Sequence, residues 1–271
     1  MFHPRLFSAL VFIEPAILNR HPSGTNSAFM STARKDLWPS REASEAAFRN
    51  NKFFQAWDSR VLDRYLQFGL RQVPTAIYPY PSADNSVQKD SVTLTTTKHQ
   101  ESWSYLRPNF EPQSESMDRL LSPDLDPKIE GQLLSHRAEG VITLSNLPHL
   151  RPNVFYLFGG KSHLSTGNEQ LEKFLTTGVG VGGSGGSKTG RVQRAVFGEN
   201  AHLLPFETPS KCSLVIAEWL VAYLNEYRTT EKFYETYGSR KSDNCMLVAS
   251  QEWKDLVKKS SWTLRQAREK L

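Results

Sequence analysis

Five consecutive apolar residues, Ala9–Ile13, stop at Glu14-Pro15. A short apolar run without alternation suits a strand of a parallel sheet, buried on both faces. Proline closes such a run because it has no amide to give to the ladder. A carboxylate at the end of this strand stands where open α/β sheets place their functional groups. A strand of this kind needs neighbours on both sides, so the opening reads as mid-domain sequence. The stretch Leu6–Ile13 has the apolarity of a secretory leader, but Glu14-Pro15 interrupts it and no small-residue cleavage site follows. It is read as a core strand.

Further elements follow from pattern. Residues 19–31 are polar and read as a loop. Ser40 precedes a helical stretch, and the region 40–72 reads as two helices joined near Asp58, with Gly69 and Pro74 marking the end. Ala43, Ala46, Ala47, Phe53, Phe54 and Trp57 line its apolar face. Residues 79–90 read as a polar loop, and Val92–Thr97 as a short strand or extended arm. Four prolines between 108 and 130 make that stretch a mobile loop. Val154–Phe158 is a second buried strand, followed by a helix at 170–176. A glycine-rich loop spans 178–186, and Val192–Val196 is a third strand. Residues 208–228 form an amphipathic helix with Leu214, Ala217, Leu220, Val221 and Leu224 on one face. The charged tail 229–271 contains Trp253, Leu256, Val257 and Trp262 and suggests a terminal helix. Strand, helical insert, strand, strand, helix is the order of an α/β domain with a lid on its top face.

Composition narrows the function. The 271 residues are 38% hydrophobic and 23% charged, with a net charge of +5 and signs interspersed, which fits a globular protein and no membrane span. Neither zinc-finger spacing nor a basic stripe with aromatics appears, so nucleic acid is not expected as a partner. Two distant cysteines, Cys212 and Cys245, fit free thiols in a reducing compartment.

The motifs separate into decoys and candidates. A Walker loop needs glycine directly before its lysine, and here Ser187 precedes Lys188-Thr189. Gly182-Gly-Ser184-Gly-Gly186 satisfies the bare Gly-x-Ser-x-Gly pattern. A nucleophile elbow needs a strand before it and a helix after it, and neither is expected here. Ser184 would also break the hydrolase order of serine, acid, histidine if Glu14 is the acid. His202 follows the last strand, in a loop held by Leu203-Leu204-Pro205 ahead of the long helix, where a neutral imidazole can act as a general base. Glu14 would accept the N–H of that histidine and fix its tautomer. The histidines at 3, 21, 99, 136, 149 and 163 have no comparable context, and none has metal-ligand spacing.

Several segments, in order from residue 3 to about 225, resemble a group of fungal α/β-hydrolases of secondary metabolism. The group includes an acyl-CoA hydrolase of mycophenolic acid biosynthesis and hydrolases of host-selective toxin clusters. The segments are His3–Pro15, Ser40-Arg-Glu-Ala43, Leu94–Glu101, Arg107-Pro-Asn-Phe110, Thr177–Gly186 and Ala201-His-Leu-Leu-Pro-Phe-Glu207. The resemblance implies the C-terminal part of an α/β-hydrolase fold, a parallel sheet flanked by helices with an inserted helical lid. Residues 1–31 and 136–228 would form the partial core, 32–135 the lid and 229–271 a helical tail. It implies catalytic roles for Glu14 and His202, an acyl or acyl-CoA substrate, and no cofactor or metal; a homodimer is compatible with it.

The family has glycine before its histidine, where this chain has Ala201. Its elbow serine and oxyanion strands would lie upstream of Met1, so the chain reads as N-terminally truncated. The final Glu269-Lys270-Leu271 shares two residues with the peroxisomal Ser-Lys-Leu address; without that address the protein is expected in the cytoplasm. The alternative expectation is a catalytically inactive remnant that binds an acyl ligand or a partner through Phe53, Phe54 and Trp57.

Overall fold

The computed structural model describes residues 6–19, 27–82, 87–105, 138–239, 242, 245 and 247–258. The chain divides into two compact units, Met1–Trp219 and Leu220–Leu271.

The first unit is built on a three-stranded parallel sheet of order β1-β5-β6. Its strands are β1 (Ala9–Ile13), β5 (Asn153–Gly159) and β6 (Val192–Phe197). All seven residues of β5 are buried, as a central parallel strand with both faces covered requires. Val154, Tyr156 and Phe158 point to one face. There they pack with Ile17, Leu147, Leu150 and Val192, beside the half-buried Leu144 and Phe174. Phe155 points to the other face and stacks on Trp219 at 5.4 Å between ring centroids. β1 has the expected bounds and pairs parallel with β5, but among the described residues it is paired on that side alone. Its apolar residues are therefore only half buried, and Ile13 is exposed.

Between β1 and β5 lie α1 (Ser27–Ala33), β2 (Leu37–Trp38), α2 (Arg41–Arg49), α3 (Lys52–Gln55), α4 (Ser59–Phe68), β3 (Leu70–Gln72), β4 (Val92–Leu94), α5 (Lys98–Tyr105) and α6 (Ala138–Asn146). The loop expected at 19–31 is in part helical. Within α1, Ala28 offers its carbonyl to Ser102 Oγ at 3.2 Å and Ser31 Oγ donates to Glu101 at 2.8 Å, so α1 folds on contacts made far along the chain.

The two helices expected over 40–72 are three helices and a strand. Ser40 caps α2, Asn51 caps α3 and Asp58 caps α4, each accepting a backbone N–H from the first turn. β2, β4 and β3 form a small antiparallel sheet over which Trp38, Phe48, Phe54, Leu62 and Leu66 make a second apolar cluster. At its edge Asp36 is held by Lys98 Nζ at 3.0 Å and by Tyr78 Oη at 2.8 Å. Burial and the bond to Asp36 push the Tyr78 phenol up to about 12, which keeps it a donor. Val92–Leu94 is a strand, and the extension expected to Thr97 bends away. The proline-rich stretch 108–130 lies outside the described residues.

After β5 comes α7 (Gly167–Thr176), with a reciprocal cap between Thr166 and Glu169. After β6 come α8 (Leu204–Glu207) and α9 (Pro209–Ser239), the latter running past the expected end at 228. The face expected to be buried on α9 is not the buried one: Leu214 is 64% exposed, and Val221 and Leu224 are exposed too. Cys212, Trp219 and Tyr223 are buried instead. The helix carries two apolar stripes, and the flat indole that can stack on Phe155 decides which one turns inward.

The second unit holds the rest of α9, with Phe233 stacked on Tyr237, and a helix over 251–258 that carries Trp253, Leu256 and Val257. Trp262 lies outside the described residues. No described helix is long and apolar enough to cross a membrane.

Replacing Trp219 by Ala should cost about 3–5 kcal/mol in urea unfolding. Leu214→Ala should change stability by less than about 0.5 kcal/mol. The reverse ranking would restore the face read from the sequence.

Candidate active site

Glu14 continues the β1 ladder with its own amide, which donates to Leu157 O at 2.9 Å, and the chain then turns sharply. Its φ is +47°, a positive value found at no other non-glycine among the described residues. A left-handed conformation at a residue with a side chain costs about 1–3 kcal/mol. The turn swings the carboxylate back over the C-terminal end of β5, where Glu14 is 5% exposed. Oε1 accepts the Gly159 amide at 2.6 Å, and Oε2 accepts the Ser162 hydroxyl in a short bond. Hydrogen bonds to a charged acceptor contribute about 1.5–3 kcal/mol each, enough to offset the strain.

His202 arrives from the other side, five residues beyond β6. Its Nδ1 lies 3.3 Å from Glu14 Oε2, and its side chain is 30% exposed. An acceptor-only carboxylate requires Nδ1 to donate, which leaves Nε2 free to accept a proton. The structure thus brings together Glu14 and His202, which are 188 positions apart in the chain. It also adds residues that the sequence reading passed over.

The ring of His163 meets that of His202 edge to face, with centroids 5.5 Å apart and planes at 82°. Lys173, only 1% exposed, places Nζ 3.5 Å from Pro15 O and 6.0 Å from the Phe158 ring centroid, bracing the Glu14-Pro15 turn from below. Gln170 Nε2 donates to Gly159 O at 3.0 Å and Ser165 O at 3.3 Å, which fixes the loop carrying Ser162 and His163. Glu207 Oε2 accepts from Asn200 Nδ2 at 2.9 Å and from the Ala201 amide at 3.1 Å.

Gly159 and Gly160 allow the close approach of the two loops. A Cβ on Gly159 would lie 2.3 Å from Ala201 O, and one on Gly160 would lie 2.7 Å from Gly198 Cα. That glycine pair, at the end of a buried strand and followed by Lys161-Ser-His163, was the available signal for Ser162 and His163. The strand-end rule that selected Glu14 applies there equally.

The glycine-rich loop serves another purpose. The amides of Gly178, Gly180 and Ser184 donate to the carbonyls of Leu147, Pro148 and Leu150, and that of Gly185 donates to Gly178. A loop that bonds its amides to the chain in this way stitches one side of the sheet and does not cradle a phosphate. Ser184 sits in this loop with no strand before it, and only the single 3-10 turn Ser187–Thr189 follows it. Cys212 and Cys245 are free thiols. Among the described residues no group of three His, Cys, Asp or Glu is placed to hold a metal ion.

Burial, aided by neighbouring His202 and opposed by Glu14, holds the His163 imidazole below its ordinary 6.5. The folded state therefore binds this proton more weakly than the unfolded state does. The stability contributed is complete above 6.5 and is lost as pH falls through the lower folded value. His163→Gln should lose less melting temperature than the parent between about pH 7 and about pH 5. Parallel slopes for the two proteins would contradict the burial of that imidazole.

No family model matches the chain. A type I acyl-CoA thioesterase of Penicillium roqueforti is 31% identical over 274 residues, covering 94% of this chain and 62% of that protein. One of Penicillium brevicompactum is 32% identical with the same coverage. An abhydrolase domain-containing protein of Alternaria alternata is 26% identical over 218 residues, covering 80% of this chain and 74% of that protein. Among solved structures, a peroxisomal α/β-hydrolase of Saccharomyces cerevisiae aligns with 98% of this chain and 57% of that one, at a TM-score of 0.48 and 15% identity. The chain spans about 62% of the length of the Penicillium relatives it matches. The chain is a homologue of fungal type I acyl-CoA thioesterases and abhydrolase domain-containing proteins.

Proposed function

We propose that this chain carries the acid and base of a serine hydrolase of fungal secondary metabolism that cleaves an acyl-CoA thioester or related ester. The observation that carries the reading is the Glu14–His202 contact at the C-terminal ends of β1 and β6, with Glu14 locked by Gly159 and Ser162. The thioesterase relatives support the choice of substrate class.

In this mechanism His202 Nε2 takes the proton from a serine hydroxyl as the serine oxygen bonds to the acyl carbon. It then delivers the proton to the departing thiolate, and a water molecule releases the acyl group by the same route in reverse. Glu14 stabilises the imidazolium that forms. The 3.3 Å separation lies just beyond the usual N–H···O range, and the developing positive charge draws it shorter.

No described serine hydrogen-bonds His202; Ser162 serves Glu14 and Ser184 serves the glycine loop. The nucleophilic serine of this proposed mechanism is not among the described residues. The described residues of the expected lid, 32–82 and 87–105, act as the lid over the acyl pocket, and the remainder of 32–135 lies outside the described residues. The tripeptide Glu269-Lys270-Leu271 supports a peroxisomal address.

In the protein isolated from its source, His202→Ala should lower thiol release from acyl-CoA by about 10²–10⁴-fold. An unchanged rate would remove His202 from the mechanism. Saturable acyl-CoA binding without turnover in the parent would favour a binding role over catalysis. A fluorescent protein ending in residues 260–271 should co-localise with a peroxisomal marker and become diffuse when Leu271 is deleted; a diffuse parent fusion would exclude the address.

A further inference from the structure

We propose that the single helical turn α8 couples the insert to His202, with Trp57 and Phe206 as positioning residues. The proposal rests on the reading of His202 as the base. The turn is short and has little internal play. Phe206 N and Glu207 N both donate to Leu203 O, at 2.7 and 3.1 Å, and Thr208 N donates to Leu204 O at 2.8 Å. Leu204 is fully buried and anchors it.

One side of this turn holds the catalytic loop. Glu207 bonds the side chain of Asn200 and the amide of Ala201, the residue directly before His202. The other side holds the insert at the junction of α3 and α4, through three separate links. The Trp57 ring stacks on the Phe206 ring with centroids 4.8 Å apart and planes at 15°. The Asp58 amide donates to Phe206 O at 2.8 Å. Arg60, itself clamped by both oxygens of Asp58, donates from Nη2 to Ser210 Oγ at 2.9 Å. Residues 57–60 are thus fastened to residues 206–210, and a displacement of the insert is transmitted through Glu207 to the backbone next to His202. An insert seated on the catalytic turn gives the fold a means of making the base competent only when the insert is docked.

Backbone amide exchange tests this without turnover. In Trp57→Ala the Ala201 amide should exchange about tenfold faster while β5 amides keep their rates, and Trp57→Phe should restore the parent rate. Arg60→Gln alters an exposed side chain and should accelerate the same amide by a smaller factor, which keeps the test open if Trp57→Ala does not fold. An Ala201 amide at the parent rate in the folded variants, or one that accelerates only in step with β5, would overturn the coupling. Accelerated exchange together with hydrolysis indifferent to His202→Ala would keep the coupling and discard the hydrolase reading.

Discussion

A carboxylate that is 5% exposed must find donors, and those of Glu14 come from two separate parts of the chain. The Gly159 amide and the Ser162 hydroxyl belong to the end of β5, and the imidazole of His202 belongs to the loop beyond β6. The positive φ of Glu14 is the conformation that aims the carboxylate at them. Neighbouring features support this junction. Glycines at 159 and 160 let the two loops approach, Lys173 braces Pro15, and Gln170 fixes the loop after β5. Leaving a buried donor or acceptor unpaired costs about 1–3 kcal/mol, so these groups hold one another in place. Hydrogen-bonded pairing therefore ties the three parallel strands together at their C-terminal ends, in addition to the ladders along their length.

The Glu14–His202 pair does not stand alone in the fold. The loop that carries His202 is tied by Glu207 to α8, and α8 faces the aromatic junction of the insert at Trp57. The insert has its own apolar cluster around Trp38, Phe48 and Leu66 and its own small sheet, so it brings a preformed surface to that contact.

The parallel strands were readable in sequence because β1 and β5 hold uninterrupted apolar runs bounded by proline, glycine or charge, while β6 keeps Val192, Val196 and Phe197 around the polar Gln193 and Arg194; all three lie within a residue or two of where the sequence puts them. Glu14 and His202 stood out because each follows such a strand. Other features were hidden for physical reasons. β2 and β3 have two and three residues, too few for any period to register. α1 depends on bonds to residues some seventy positions away. The inner face of α9 was misread because a helix with two apolar stripes shows the same period for both, and only contact with Phe155 selects Trp219. His163 and Lys173 looked ordinary because their significance lies in what the fold places beside them.

The most direct measurement is the ¹⁵N spectrum of the His202 imidazole in the parent protein and in Glu14→Gln. The Glu14–His202 contact predicts a proton on Nδ1 in the parent, slowed in exchange by its bond to Glu14 and released in the variant. A ring protonated on Nε2, or one indifferent to Glu14→Gln, would mean that the carboxylate does not orient the histidine.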